Sequence, residues 1–597
     1  MTGTLNIGMI GNCSFAALID PRARIVWSCM PRFDSDAFFN ALINDAREDG
    51  DALDGAFSIE LENFTASHQA YIDRTAVLKT ILHGDDGSIE VTDLAPRFYL
   101  RGRPFRPRTI IRRIRPISGS PRIRIRMRPT FDYGRLQPHK TRGSNHIRYT
   151  ANDQTLRLTT DGAVDYILNE TAFNLTEPVN LILGPDETLS GGIDETARDF
   201  EERTIDYWRD WTRRLAVPME WQDAVIRSAV TLKLCSYEET GAIIAAATTS
   251  IPESADSGRN WDYRFCWIRD AFFVVRALNS LSAVRTMENY FGWIMNVIAD
   301  AKGGHIGPVF GIGRENDIVE REIETLRGYR GMGPVRIGNQ AHSHIQHDVY
   351  GNVVLGAAQA FIDQRMTRRA GVTDFERLEQ VGEQAFRVYN QPDAGMWELR
   401  SRARVHTSSS LMCWAACDRL GKIAAHLGLT DRQAKWSSRA AQIKQEILAR
   451  SWSDKRNAFV ESFEGEALDA SVLLMAEVGF IDPYDQRFVA TVDAIGAVLG
   501  DGPHVRRYEA PDDYGTPETA FNFCAFWRVD ALARVGRIDE ARDYFEQLLA
   551  FRNQVGLMSE DTCPTTGEMW GNIPQTYSMV GIINSAMLLS KPWEAVV

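Results

Sequence analysis

Thr196-Ala-Arg-Asp-Phe-Glu-Glu-Arg-Thr-Ile-Asp-Tyr-Trp-Arg-Asp-Trp211 is the stretch at which the period of this chain changes. It reads as one polar helix joining two domains. Before it, up to about residue 190, the text is that of strands. Arg122-Ile-Arg-Ile-Arg-Met-Arg128 alternates strictly, the period of a sheet with one buried and one wet face. Ile110-Ile-Arg-Arg-Ile114 and Leu156-Arg-Leu-Thr-Thr160 are shorter, less regular runs of the same kind, and turn signals such as Asp85-Asp-Gly and Ser118-Gly-Ser separate them. An antiparallel β-sandwich is expected. After residue 220 the period is helical. Trp436, Ala440, Ile443 and Ile447 form one stripe, with Thr430-x-x-Gln433 as a capping box before it. Ile538, Ala541, Phe545 and Leu548 form another. About a dozen such segments, near 221, 267, 285, 344, 374, 409, 432, 468, 485, 518, 538 and 574, fit a double ring of six inner and six outer helices. The stretch from Gly303 to Gln340 is too long for a plain connector and reads as a functional loop over a pocket at one end of the ring.

At 597 residues the chain exceeds one ordinary core. Its apolar fraction of 44% and charged fraction of 24% are those of a globular protein. A net charge of −12 argues against nucleic acid and anionic membranes as partners. The arginines between 101 and 128 therefore read as a solvated strand face. The start, Met1-Thr-Gly-Thr-Leu-Asn-Ile-Gly8, lacks the pattern of a secretion signal, and no apolar run of eighteen or more is present. The eight cysteines are scattered without a Cys-x-x-Cys, as expected of free thiols in the cytoplasm.

Two glutamates stand in surroundings suited to sugar chemistry: Glu398 in Gly-Met-Trp-Glu-Leu-Arg and Glu560 in Leu-Met-Ser-Glu-Asp. Cleaving a glycoside needs one carboxylic acid to protonate the leaving oxygen and one carboxylate to activate water or attack the sugar. Met396 and Trp397 give Glu398 an apolar setting suited to the acid. Ser559 and Asp561 give Glu560 a polar, more hydrated setting suited to the base. Trp267, Arg269 and Asp270 are read as a sugar-holding set, with Arg269 positioning Asp270 through a forked pair and Trp267 covering the ring. The alternative is a core helix from Trp267 to Leu281 with a buried ion pair. Glu518, read at the start of a helix, and Glu568, in a turn, are weaker carboxylates. His344, His347 and Asp348 could share a helix face, but their spacing fits no familiar zinc motif.

The residues also carry a resemblance running nearly end to end. Ile10-Gly-Asn-Cys-Ser-Phe-Ala-Ala-Leu-Ile-Asp20, Pro31-Arg-Phe-Asp-Ser35, Arg259 to Asp270, Gly328 to Asn339, Ser559-Glu560, Pro564 to Glu568 and Gly571-Asn-Ile-Pro-Gln575 together resemble bacterial members of glycoside hydrolase family 15, the glucoamylase, glucodextranase and trehalase group. The resemblance implies an α+β multidomain chain: a β-sandwich (1–194), a linker helix (195–219) and an (α/α)6 barrel (220–597). It implies hydrolysis by single displacement with inversion, releasing β-D-glucose from the non-reducing end of an α-glucoside. It makes Glu398 the general acid and Glu560 the general base, places Tyr263, Trp267, Arg269, Asp270 and Trp397 at the glucose subsite, and adds Arg507 on a shorter match. Two regions depart from the pattern: Arg404-Val-His-Thr-Ser-Ser-Ser410 after the acid, and His344 and Asn352, where a glutamine and a glutamate are usual. Both are expected to border the pocket.

The expected activity is hydrolysis of a small α-glucoside, trehalose slightly ahead of malto- or isomalto-oligosaccharides, with no cofactor and no metal. A phosphorylase would replace the base with phosphate, and Glu560 argues against it. A non-catalytic sugar-binding protein would keep the pocket and lose the acid or base. The sequence leaves the oligomeric state open, and a homo-oligomer is compatible with it.

Overall fold

The computed structural model describes residues 4–44, 54–301 and 304–595. Met1 to Gly3 and Gly303, the first residue of the expected loop, lie outside the described residues. The N-terminal part is antiparallel. A seven-stranded sheet and an eight-stranded sheet carry all its strands but Phe98–Leu100 and Arg103–Phe105, which pair with each other. In Arg122–Arg128 the inward Ile123, Ile125 and Met127 are buried, and the outward arginines meet acids on neighbouring segments: Arg126 lies 3.2 Å from Glu60 and Arg128 2.7 Å from Glu170. That alternation supplies the register against Ala56–Leu61. Arg112 breaks the reading of a solvated arginine face. It lies on a central strand of the larger sheet, fully buried, where it meets Asp93 at 2.7 Å and the Phe57 carbonyl at 2.7 Å.

The change of period falls on helix Ile193–Arg213. It is less polar than it reads. Thr204, Tyr207, Trp208 and Thr212 are buried, because the helix lies along the sandwich: the Thr204 hydroxyl accepts from the Arg97 backbone N–H at 3.1 Å. Its acidic first turn, Asp194 and Glu195, matches the positive end of the helix dipole.

Twelve helices follow among the described residues, from Gln222–Leu234 to Thr576–Leu589, the shortest being Leu474–Glu477 extended by the 3-10 turn Ala470–Leu473. Six form a closed inner ring, each packing on the next: Ile268–Ser280, Asp348–Ile362, Thr407–His426, the segment 470–477, Asn522–Arg534 and Thr576–Leu589. The alternate helices pack outside them. Burial sorts the two sets: Asn522–Arg534 is buried at every position but the last, whereas Thr430–Arg450 buries only the expected stripe Trp436, Ala440, Ile443 and Ile447. This is an (α/α) barrel after an antiparallel sheet region. Local details differ from the sequence reading. Thr430 is the first residue inside its helix, the N-cap is Leu429 with no side-chain cap, and the capping box does not form. Ile538 opens its helix exposed while Ala541, Phe545 and Leu548 carry the stripe. The first inner helix starts at Ile268, so Trp267 sits in a short strand pair with Val309. Glu518 precedes the strand Ala520–Phe521 and does not begin a helix.

The sandwich grips the barrel beside the segment 260–267. Arg264, fully buried, donates to both oxygens of Asp262 (2.9 and 2.7 Å), to the Ser35 carbonyl (2.8 Å) and to the Tyr133 hydroxyl (3.2 Å). Trp27 Nε1 donates to the Ala247 carbonyl at 2.7 Å. Pro31-Arg-Phe-Asp-Ser35 thus meets the side chain that follows Tyr263 and helps to hold it in place. A buried, fully hydrogen-bonded ion pair adds little net stability but fixes geometry, since leaving either charge alone is costly.

Candidate active site

Five of the six inner helices present their N-terminal ends, or the connections leading into them, to one cleft. Residues at or just before those ends line it: Trp267, Arg269 and Asp270; Ala341 and His344; Met396 to Arg400; Phe521; Gln575 and Tyr577. The cleft is concave and lined by aromatic rings together with carboxylates and arginines, the mix expected of a small-molecule site. Converging helix N-termini bring partial positive charge, which favours carboxylates there. Asp270 and Asp348 occupy first turns.

Glu398 and Glu560 both line this cleft, arriving from different connections. Glu398 has a left-handed backbone, φ 63°, a conformation that a residue with a side chain adopts only when its surroundings impose it. What imposes it is the tight turn beginning at Gly395, itself at φ 66° and so close to the His406 ring that a Cβ would stand 2.8 Å from it. The carboxylate Oε1 accepts from Trp267 Nε1 at 2.6 Å and lies 3.5 Å from Arg269. Its side chain remains 22% exposed.

Glu560 is 2% exposed. Tyr263 donates its hydroxyl to Oε1 at 2.7 Å, and Oε2 is buried without a hydrogen-bond partner among the described residues. Gly571, at φ 74°, faces it, and a Cβ there would stand 2.8 Å from Oε2. Burial pushes the Glu560 carboxyl well above its usual range, and the neighbouring charges of Glu253 and Asp561 add to this, while Arg507 and the Tyr263 hydrogen bond oppose it. The hydrated setting expected from Ser559 and Asp561 is therefore overturned. Both are buried and turned into the wall: the Ser559 hydroxyl donates to the Asp561 carbonyl at 2.9 Å, and Asp561 accepts from Thr519 at 3.2 Å. Polar neighbours in sequence are not solvent in space.

Tyr263 and Trp267 tie the two carboxylates together. They stand edge to face with ring centroids 5.4 Å apart, and each donates one hydrogen bond, to Glu560 and Glu398 respectively. The glutamates thus share one wall without a hydrogen bond to each other. Asp270 is buried, with Oδ2 lacking a hydrogen-bond partner among the described residues, and burial followed by the charge of Glu398 pushes it up to about 6 against the pull of Arg269. The forked Arg269–Asp270 pair does not form. One contact of 3.4 Å remains, and Arg269 instead donates to the Met396 carbonyl at 2.5 Å. Trp397 donates to Asp469 at 2.8 Å and packs edge-on to Phe521. Arg507 is ion-paired with Glu253 and lies 3.9 Å from Asp561.

Glu253 escaped the sequence reading. It is 2% exposed, borders the cleft, and accepts from Trp261 Nε1 at 2.9 Å as well as from Arg507. The segment Ile251-Pro-Glu-Ser offers no periodic or motif signal for it. Tyr577 was also missed, although it follows the matched Gly571–Gln575 stretch by two residues. The departures divide. His344 borders the cleft. Asn352 does not: it is buried one helical turn inside Asp348–Ile362 and donates to Asp348 at 2.9 Å. Residues 404–410 lie behind the turn that carries Glu398, with Ser409 donating to Asp393 at 2.7 Å and Ser410 to the Tyr389 carbonyl at 2.6 Å. His347 is the N-cap of the helix that starts at Asp348, so His344, His347 and Asp348 share no helix face.

A family model described as Glycosyl hydrolases family 15 matches residues 220–587, and one described as Trehalase-like, N-terminal matches residues 4–179. The chain belongs to glycoside hydrolase family 15 and is a glycoside hydrolase. It is 31% identical to a trehalase of Mycolicibacterium smegmatis over 97% of this chain and 90% of that protein. It is 30% identical to a trehalase of Thermoplasma volcanium over 98% of this chain and 93% of that protein. A crystal structure of a bacterial glucoamylase complexed with acarbose shares the fold, with a TM-score of 0.69 at 12% identity, covering 99% of this chain and 94% of that one.

Proposed function

We propose that this enzyme hydrolyses a small α-glucoside with inversion, releasing β-D-glucose, and that trehalose is the preferred substrate over malto- and isomalto-oligosaccharides. The carrying observation is the pair of carboxylates in one cleft, each held by one ring of the Tyr263–Trp267 pair and neither bonded to the other. Glu398 gives its proton to the glycosidic oxygen as the bond to the anomeric carbon breaks. Water attacks that carbon from the opposite face and passes a proton to Glu560. Asp270, Arg269, Trp397 and Arg507 hold the glucose unit. Inversion requires carboxyl groups roughly 6.5–9.5 Å apart, room for the water. No cofactor is needed. Relatives bearing the name trehalase along almost the full chain favour trehalose. All eight cysteines are free thiols and seven are buried, which favours the cytoplasm and a soluble internal substrate. Among the described residues no helix is long and apolar enough to cross a membrane.

Proton NMR during the first turnovers of trehalose tests this reading. Inversion yields one β- and one α-glucose per molecule, the α-anomer being the departing sugar. Two α-glucoses would mean retention. Absence of hydrolysis alongside hydrolysis of maltose or isomaltose would reassign the substrate.

A pH prediction follows from the charges around Glu560. The carboxylate of Glu253 raises the Glu560 carboxyl and Arg507 lowers it. Glu253→Gln removes the first influence and frees Arg507 for the second, so both changes favour ionised Glu560. The acidic limb of the kcat/KM profile is expected to move to lower pH in the variant, read from rates at fixed low substrate. A limb moved upward would contradict the charge arrangement.

A further inference from the structure

The cleft has an acid half and a base half, and His344 belongs to the first. The segment of His344 lies against the turn that carries Glu398, the Ala394 N–H donating to the Ile345 carbonyl at 2.9 Å, and Glu398 is the charge that acts most on its ring, whereas the charges acting on Glu560 are those of Glu253, Asp561 and Arg507. A general acid protonates the leaving oxygen, so side chains on its half face the departing group. His344 is held firmly there. It closes the 3-10 turn Gln340–Ser343, donating its backbone N–H to the Ala341 carbonyl at 3.0 Å. Asn339 pins that turn by accepting from Ala341 N–H at 2.9 Å and donating to the Asp262 carbonyl at 3.2 Å. The ring borders the cleft, and its Nδ1 is buried with no hydrogen-bond partner among the described residues. A buried polar atom without a partner in the wall of a binding site calls for a partner that arrives with the ligand. Burial also holds the imidazole below its usual range, so it is neutral, with one donor and one acceptor nitrogen. A sugar hydroxyl, which donates and accepts, is its complement.

We propose that His344 determines specificity for the departing group: its imidazole hydrogen-bonds a hydroxyl of the leaving sugar beside the glycosidic oxygen. This rests on the proposed hydrolysis and on Glu398 as its acid. The experiment compares trehalose with cyclohexyl α-glucoside. The second substrate's leaving alcohol needs the same protonation but carries no further hydroxyl. In His344→Ala the ratio of kcat/KM for trehalose to that for the cyclohexyl glucoside is expected to fall about tenfold, the size of one hydrogen bond. His344→Gln, which keeps a donor and an acceptor, is expected to recover part of the loss and serves where the alanine variant is unstable. Equal losses on both substrates would make His344 a support of the acid loop and overturn the proposal, as would an unchanged ratio. Wild-type enzyme that cleaves neither substrate would overturn the hydrolysis itself, a result visible before any variant is made.

Discussion

Glu560→Gln is expected to lower kcat on trehalose by on the order of 10²–10⁴, the usual worth of a general base, with KM near the wild-type value. The amide has nearly the shape of the carboxylate, and its oxygen can still accept the Tyr263 hydroxyl now 2.7 Å from Glu560. The space beside Oε2 is fixed by Gly571, where no Cβ intervenes. What the variant loses is the ability to take a proton from water. The fold should not suffer. Glu560 holds its proton more tightly in the folded chain than in the unfolded one, because burial and the charges of Glu253 and Asp561 penalise the ionised form. Wild-type stability therefore falls as pH rises from the usual carboxylate range toward the raised folded value. Glutamine carries no such penalty, so the variant's Tm should equal or exceed that of wild type at neutral pH and the two should converge in acid. Stopped assays with thermal unfolding across pH read both quantities. A kcat near the wild-type value would remove Glu560 from the base role, and a lower Tm at neutral pH would contradict the electrostatics.

The architecture was legible because burial imposes a period on the text. Arg122–Arg128 alternates since one face meets the opposing sheet, and the stripe from Trp436 to Ile447 recurs since one side of an outer helix meets the inner ring. Where side chains end up for other reasons, the text misleads. Arg112 looks like its solvent-facing neighbours but sits at the centre of a sheet with Asp93. Ile538 continues a stripe by spacing, yet it opens its helix and stays 43% exposed. The two glutamates were findable through composition and motif order. Their environments were not, since those depend on distant segments: Tyr263 and Gly571 beside Glu560, Trp267 beside Glu398. Glu253 stayed hidden for the same reason. Its partner Arg507 reaches it from another connection, across more than 250 positions, and Trp261 folds back on it from within its own non-periodic segment.

Glu398→Gln is expected to lose as much as the base variant on trehalose, on the order of 10²–10⁴ in kcat, but far less on α-glucosyl fluoride. The reason lies in the leaving group. A departing sugar alkoxide needs a proton at the moment the bond breaks, and Glu398 is the carboxyl proposed to give it. Fluoride leaves without one. With Glu560 as the proposed base, water can then still attack, and the first product from the fluoride is expected to remain β-glucose. Geometry favours a clean comparison. The side chain at 398 is placed by the turn from Gly395 and by Trp267, whose Nε1 donates to Oε1 at 2.6 Å and can donate equally to an amide oxygen. Glutamine tolerates the left-handed backbone at 398 no worse than glutamate. The Arg269 guanidinium, 3.5 Å from Oε1, loses a carboxylate neighbour but keeps Asp270 at 3.4 Å. A small rise in KM for both substrates is therefore allowed, whereas the difference in kcat between them is the diagnostic. Losses of equal size on trehalose and the fluoride would mean that Glu398 acts on the glucose unit or on the fold, and the acid would have to be sought among the other carboxyls of the cleft, Asp270 first.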